Sequence, residues 1–570
     1  MTAVGIDFGT TNSVVATWNG RHGEALSIDT PLGEWERLGF DRVMPSVFAR
    51  SPGGDALFGW AAKRSSQGRF EAVKRLFATQ QDTVSDDEGG VFAVEEVATM
   101  LFAEFKAAAA RQGVDAGQAV VTVPANSRGL ARHRTKICAG MGGLEVLALM
   151  NEPTAASLAY AVRNPGDQQV LVFDWGGGTL DVTILRSVSG VFLEQASKGL
   201  PTKGGLDFDS RLRRLVLETV PDRSTWTGDD RRRFDLDIEL AKIRLSTQDY
   251  TIVQLPDGDS RRITRGMFED SISSLIEESR LPIERCLRDI GAGPSSIDAV
   301  IMVGGTSRIP AVRRFVGDLL EREPEVDIDP MTAVGEGAAV AAAILTGELE
   351  TNDFFVATEH ALGTVVLDPD RMESSFSVLI PRNHKLPAQR TDTFHPIYAE
   401  QEGVRLRVIE GDPEVPVEHP DNVILKEWEI DIPDGSAAKG MGFDITYEYD
   451  VDGILHVRAV DNFTGGLMLE DDVSYGITGD KRQLVQMSRR AQEAVASGTA
   501  PEAAASPTNV DPEASRLLQQ TYVKVIPFLD GDEADELRRL ASAVESASGG
   551  DLADAKARLA AALAPFSYLF

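Results

Sequence analysis

With 570 residues, 42% of them hydrophobic and 25% charged, the chain has ordinary globular composition and enough length for about three or four domains. Its formal net charge of −31 leaves no concentrated basic face, which argues against nucleic acid as a partner and reads as a solvated surface. Two cysteines, Cys138 and Cys286, are too few for a disulfide framework, a zinc site or a redox pair. With no leader before GIDFGTT and no apolar stretch of about 18 residues, the expected compartment is the cytoplasm, away from membranes.

Up to about Glu350 short β-branched runs (Ala119–Val123, Val170–Phe173, Ala299–Val303) alternate with helical patterns (Val94–Ala110, Arg308–Leu320), which predicts an α/β domain over residues 1–350. VGIDFGTTNSVVA and VFDWGGGTLDVTIL share one order of strand, Asp, aromatic, Gly, Thr and strand, so they predict two similar halves facing one another across a cleft. In the second copy Gly176, Gly177 and Gly178 leave backbone N–H groups open to phosphate oxygens, Thr179 adds a hydroxyl, and Asp174 and Asp181 can order a hydrated Mg²⁺. In the first copy Asp7, Gly9, Thr10 and Thr11 offer the same set, followed by Asn12. Either copy alone reads equally well as a hairpin turn; two copies in the same order predict a phosphate site. A third turn, Gly304-Gly305, lies between a strand and a helix opening at Pro310 and puts Arg308 where a purine could stack. Alone it would be a generic strand-to-helix loop. No G-x-x-x-x-G-K-[ST] and no His-, Cys- or Ser-centred hydrolase constellation is present.

Residues 351–360 form an apolar connector with polar flanks. From 361 to 477 strands alternate with turns (VRLRVIEGDP, LKEWEIDIP, FDITYEYDVDGILHVRAV); Val404, Leu406 and Val408 point one way, Arg405 and Arg407 the other, which predicts an antiparallel β domain. Residues 478–570 turn helical, are broken by an Ala-, Pro- and Ser-rich loop at 498–513, and close in a hairpin of helices.

In this order GIDFGTTNSVVA, FEAVKRLF, VVTVPANS, NEPTAASLAY, VFDWGGGTLDVTIL, GGLDFDSRL, IELAKIRLS, IMVGGTSRIP and DGILHVRAVD resemble the DnaK-type (seventy-kilodalton heat-shock) chaperones over nearly the whole chain. The resemblance implies an actin-like ATPase domain of two lobes with RNase H-like duplicated halves, an antiparallel β-sandwich for peptide, and a short helical lid closest to the HscC-type layout. It implies ATP/ADP with Mg²⁺, and admits K⁺ beside it. Asp7 and Asp174 would order the Mg²⁺ shell, Thr10 and Thr179 would contact the terminal phosphate, and Lys74 would stabilise γ-phosphate charge, with Glu152 and Asp181 completing the polar set. Gly204 and Gly205 would join the nucleotide cradle; Glu239, Lys242 and Ser246 match the adenosine helix, opposite Arg308. Pro124 and Arg132 look like the switch pair that relays nucleotide state. In the β domain Phe394, Val404, Leu406 and Val408 match lining positions, with Leu367 and Ile397 as an arch over peptide; without the resemblance these are core residues of a sandwich, and both readings stand.

Departures accompany the matches. Ala148 stands where such chaperones carry an Arg for J-domain partners, the connector lacks an Asp after Phe354-Phe355, Leu206 replaces the Glu of GGEDFD, and Met331 replaces an acidic residue. The region after KRLF is shortened, which puts the exchange-factor surface in doubt. The expected function is an ATP-hydrolysing chaperone whose nucleotide state controls binding of unfolded or client polypeptide. Its alternative is a nucleotide-stabilised, non-cycling holdase or regulator; a sugar kinase is disfavoured by the β domain and helical tail.

Overall fold

The computed structural model describes residues 2–566 except 32, 66, 79–80, 86–89, 126, 128, 189–190, 201–202, 219–225, 351–357, 359, 369–372, 383, 385–386, 399–400, 420–421, 434–441, 450–454, 474–480, 502–511, 527–528, 530, 548–549 and 565. The connector at 351–360 therefore lies largely outside the described residues, as does most of the 498–513 loop.

Both halves of the α/β region repeat one strand arrangement. In the first, strand Thr2–Phe8 pairs antiparallel with Asn12–Trp18 and parallel with Ala116–Val123, and Glu145–Asn151 extends the sheet beyond. In the second, Gln168–Trp175 pairs antiparallel with Leu180–Val188 and parallel with Ala299–Val303, and Val191–Leu200 flanks the hairpin. The central strand of each sheet is apolar on both faces, as expected where helices cover a parallel pair. Asp7 and Asp174 both sit at the ends of these central strands, beside the turns that the duplicated motif predicted.

The helix Ala333–Leu345 joins the halves. Its Gly and Ala surface permits contact that larger residues would block: a Cβ on Gly337 would overlap the Ala155 carbonyl in helix Glu152–Arg163, and one on Gly5 would overlap the Ala339 amide nitrogen. Backbone therefore packs on backbone, as in a small-residue seam. The Ala-rich sequence of this helix, AVGEGAAVAAAIL, suits it to such a joint.

Two four-stranded antiparallel sheets form the β region, ordered Glu373–Ile380, Ala361–Asp368, Gly403–Gly411, Val423–Asp431 and Ala388–Phe394, Phe443–Tyr449, Leu455–Asp461, Leu467–Asp472. Their shared core holds Leu362, Ile380, Val408, Tyr447, Leu455 and Ala459. The period-two reading of Val404 to Val408 holds.

The tail departs from a simple hairpin. Helix Lys481–Ser497 buries Ala491 and Ala494 in the core of the first lobe, against helix Val94–Arg111, and Ser488 and Gln492 both donate to the Met141 carbonyl (2.7 and 3.1 Å). Just after it, Gly498 and Ala500 exchange backbone hydrogen bonds with Ala56 and Gly54 (2.8 Å each), so the start of the predicted loop is annealed to a sheet edge. Helix Pro512–Gln519 and the turn Gln520–Val525, which the sequence reading missed, join Gly531–Ser546 and Gly550–Leu563 in a separate core of Leu517, Leu518, Leu537 and Leu559. The lone amphipathic helix showed only that it needed a partner; its partner is a lobe of the α/β region.

Replacing Gly337 by Val forces the joint apart. We expect a loss of about 3 kcal/mol or more in the urea-unfolding free energy, read as a shifted midpoint, because neither backbone can yield.

Candidate nucleotide site

The two glycine turns touch at the bottom of the cleft. A Cβ on Gly177 would overlap the Thr11 hydroxyl of the opposite lobe, one on Gly204 would meet the Gly177–Gly178 peptide, and Gly304, at φ 80°, backs onto the Trp175 carbonyl. Glycine is required here for close approach, and at 304 for a left-handed φ as well. The turn's carbonyls are held from behind. Gly176 O accepts from Gly205 N and Thr306 Oγ1 (2.9 Å each), Gly177 O from Leu206 N (3.0 Å), and Gly178 O from Arg75 Nη2 (3.1 Å). The N–H groups of Gly177 and Gly178 donate to no group among the described residues, so a ready anion cradle remains.

Charge converges on the same point. Lys74 Nζ lies 2.6 Å from Glu152 Oε1, Asp7 accepts from Thr122 Oγ1 at 3.0 Å, and Asp174 and Asp181 face each other across the hairpin. Burial, then Glu152, pushes the Asp7 carboxyl up to about 7, with Lys74 and Thr122 opposing. Burial, with Glu152, Asp181 and Asp7, drives Asp174 up too. Burial alone would discharge Lys74, yet the surrounding carboxylates hold its pKa above the ordinary lysine value. Several acids thus share one ammonium, a donor set that fits a divalent cation. Among the described residues no three His, Cys, Asp or Glu side chains converge closely enough to ligate an ion directly, so these residues fit one held through its water shell.

Toward the other end the cleft opens into a cavity of about 1140 Å³ lined by Thr10, Gly177, Gly205, Ser246, Gly305 and Arg308, among others. Glu239 is paired with Lys63 (2.7 Å), Lys242 with Asp209 (2.8 Å), and Arg308 with Asp329 (2.5 Å). The predicted adenosine residues are thus assembled and held by neighbours that the sequence did not reveal.

Arg75 was also missed. Its guanidinium lies against Gly178, where a Cβ would come within 2.6 Å of Nε, and burial lowers its pKa with Asp207 opposing. The KR dipeptide was the available signal, but a lone basic residue beside Lys74 reads as solvated. Asp207, which accepts from Gly204 N at 2.7 Å, is raised to about 7, first by burial.

Of the switch pair, Arg132 is 4% exposed and donates to Asn151 Oδ1 at 3.0 Å, immediately before Glu152; Pro124 follows the strand that carries Thr122. Among the peptide residues, Leu406 (4% exposed) and Val408 (0%) are core, with Phe394 and Val404 packed against them; Leu367 is half-buried, and Ile397, at 60%, stands outside. Ala148 is buried in strand Glu145–Asn151.

The family model described as Hsp70 protein matches residues 74–564. The chain belongs to the Hsp70 family. It is similar to Chaperone protein DnaK of Deinococcus proteolyticus (32% identity, 96% of this chain and 90% of the relative) and to those of Thermus thermophilus (33%, 86% and 84%) and Trichormus variabilis (34%, 81% and 70%). As an Hsp70 it is an ATP-dependent molecular chaperone and an ATPase; the family binds ATP/ADP with Mg²⁺ and works on client polypeptides with co-chaperones. No helix among the described residues is long and apolar enough to cross a membrane.

Lys74→Ala should lower single-turnover hydrolysis about 10²–10³-fold while ADP binding persists, because an ammonium in this place would face charge that develops during phosphoryl transfer. A pH effect follows from the burial of Asp7 and Asp207. Both have raised folded-state values, so the nucleotide-free folded chain holds more protons than the unfolded chain between about pH 4 and 7 and loses stability as pH rises through that window. Thermal melts at pH 5 and 7.5 should differ less in Asp207→Asn than in the parent.

Proposed function

We propose that residues 1–350 carry the ATP site, 361–477 the peptide site and 478–570 a short helical lid, and that hydrolysis in the first sets affinity in the second. In this reading Asp7 and Asp174 hold the water shell of Mg²⁺, which when bound offsets phosphate charge. The Gly9–Thr11 and Gly176–Thr179 turns grip the phosphates from opposite walls, Thr10 and Thr179 orient the terminal group, and Lys74, fixed by Glu152, stabilises charge that appears on it. Glu239, Lys242, Ser246 and Arg308 bound the adenosine end. Peptide would lie over Leu367, Phe394, Val404 and Ile397, with Leu406 and Val408 as the floor beneath. K⁺ beside Mg²⁺, J-domain partners despite Ala148, an exchange factor and a cytoplasmic location belong to this proposal; free, buried Cys138 and Cys286 agree with a reducing compartment.

One observation carries the coupling. Glu194 is only 8% exposed, and Arg382 of the β region lies 3.7 Å from its carboxylate. Its pKa is raised by burial and pulled back by Arg382, Asn151 and Arg132. The β region therefore meets a carboxylate that also faces the Arg132–Asn151 bond, one residue from Glu152. A static holdase needs no such connection, and that alternative is not favoured.

Arg382→Ala and Glu194→Gln should each reduce the stimulation of ATP hydrolysis by an apolar peptide and the ATP-induced drop in peptide affinity, leaving basal hydrolysis within about twofold. Peptide anisotropy with ATP and with ADP reads this directly, and parental coupling in both variants would refute the route.

A further inference from the structure

Among the described residues, two that are not glycine have a positive φ: Ala72 (55°) and Glu321 (51°). Glu321 ends helix Pro310–Leu320 on the surface, where a left-handed residue is an ordinary way to satisfy the last carbonyls. Ala72 ends no helix. It is 7% exposed, precedes a short helical turn, and lines the cleft beside Thr10, Thr11 and Gly177. In this conformation a Cβ crowds the following carbonyl oxygen, so an alanine holds it only when its neighbours leave no alternative.

The constraint is visible on both sides. Before it, Phe70 ends strand Arg69–Phe70, is fully buried, stacks on Phe48 (5.7 Å) and meets Phe92 edge-on (5.2 Å). After it, the turn Val73–Ala78 buries Val73, Leu76 and Phe77. Phe77 lies 6.0 Å from Phe8, the neighbour of Asp7, and Leu76 O accepts from Arg134 Nη1 at 3.0 Å. Glu71 and Ala72 alone join these two anchors. Ala72 O accepts from Arg75 N at 3.0 Å, which starts the turn that carries Lys74 to Glu152 and Arg75 to Gly178. A glycine would take the same φ without penalty, but it would take many others too, because it has no Cβ to exclude them. Alanine here costs stability and leaves the turn one direction.

We propose that Ala72 is a positioning residue for hydrolysis: its strained, left-handed backbone fixes the direction in which Lys74 points toward the glycine turns. The proposal rests on Lys74 facing the transferred phosphate. Direction matters because a charge acts most strongly on a developing charge when it is already in place, and a displacement of about 1 Å can cost on the order of 10²-fold in rate.

The test is Ala72→Gly in the full chain, because strain and direction make opposite demands on it. Removing the Cβ should leave the urea midpoint at or above the parental value, since the left-handed φ is then no longer strained. Single-turnover ATP hydrolysis should nevertheless fall about tenfold, with MANT-ADP affinity within about twofold of the parent. Added to Lys74→Ala, the same change should slow hydrolysis by no more than about twofold, since there is no ammonium left to aim. Three results would overturn the positioning role and leave that of Lys74 standing: parental hydrolysis by Ala72→Gly, a urea midpoint lowered together with hydrolysis, or a further loss of about tenfold on top of Lys74→Ala. Parental hydrolysis by Lys74→Ala itself would remove both roles together.

Discussion

The structure depends on keeping Asp7, Asp174, Asp181 and Glu152 close together with one ammonium, Lys74, among them. Such a group is unfavourable in a dry interior, as the raised pKa values of Asp7 and Asp174 record. It persists because the four acids are anchored in three rigid elements: Asp7 in a central strand of the first sheet, Asp174 and Asp181 in the central hairpin of the second, and Glu152 in the first turn of helix Glu152–Arg163. The cluster is therefore poised for a cation and a polyanion. In the proposed site, binding them would relieve a repulsion that the fold holds in place, and relief of that kind can move the two lobes against each other.

The small-residue joint makes such movement transmissible. Helix Ala333–Leu345 meets helix Glu152–Arg163 and strand Thr2–Phe8 backbone to backbone, and those two elements carry Glu152 and Asp7. A contact without side chains has little freedom to absorb a shift by changing rotamers, so a displacement at the proposed phosphate turns would pass to the helix and the strands it covers. The Arg132–Asn151 bond and Glu194 lie along the same wall, which puts the β region's Arg382 at the end of a short, stiff series of contacts.

How much of this was legible in the sequence follows from which residues had no alternative. The glycine turns and the two facing halves could be read because the same order of strand, Asp, Gly and Thr occurs twice, once in each half. The strand pattern of the β region was legible through period-two alternation. Partners were not legible. Glu239 and Lys242 matched an adenosine helix, but nothing in IELAKIRLS says that Lys63, 176 positions away, would hold the glutamate. Arg75 looked like an ordinary basic neighbour of Lys74 until burial placed it against Gly178. The amphipathic helix Lys481–Ser497 announced an apolar face but not its recipient, since periodicity encodes which side must be covered and says nothing of what covers it.

The same reasoning explains why Met331 was hard to interpret and why it matters. Met331 is an apolar side chain lining a cleft that Arg308, Lys242 and Glu239 also line, and in isolation it reads as a departure from the family pattern. Its meaning comes from Trp35, Phe40 and Trp60, which lie roughly 200 or more positions away and belong to no motif. A polar residue at 331 would face aromatic carbon without a partner, so the apolar residues in the two lobes favour one another. The glycine turns follow from local backbone requirements, and the other end of the cleft from a long-range packing agreement. Only the first kind of constraint can be seen one segment at a time.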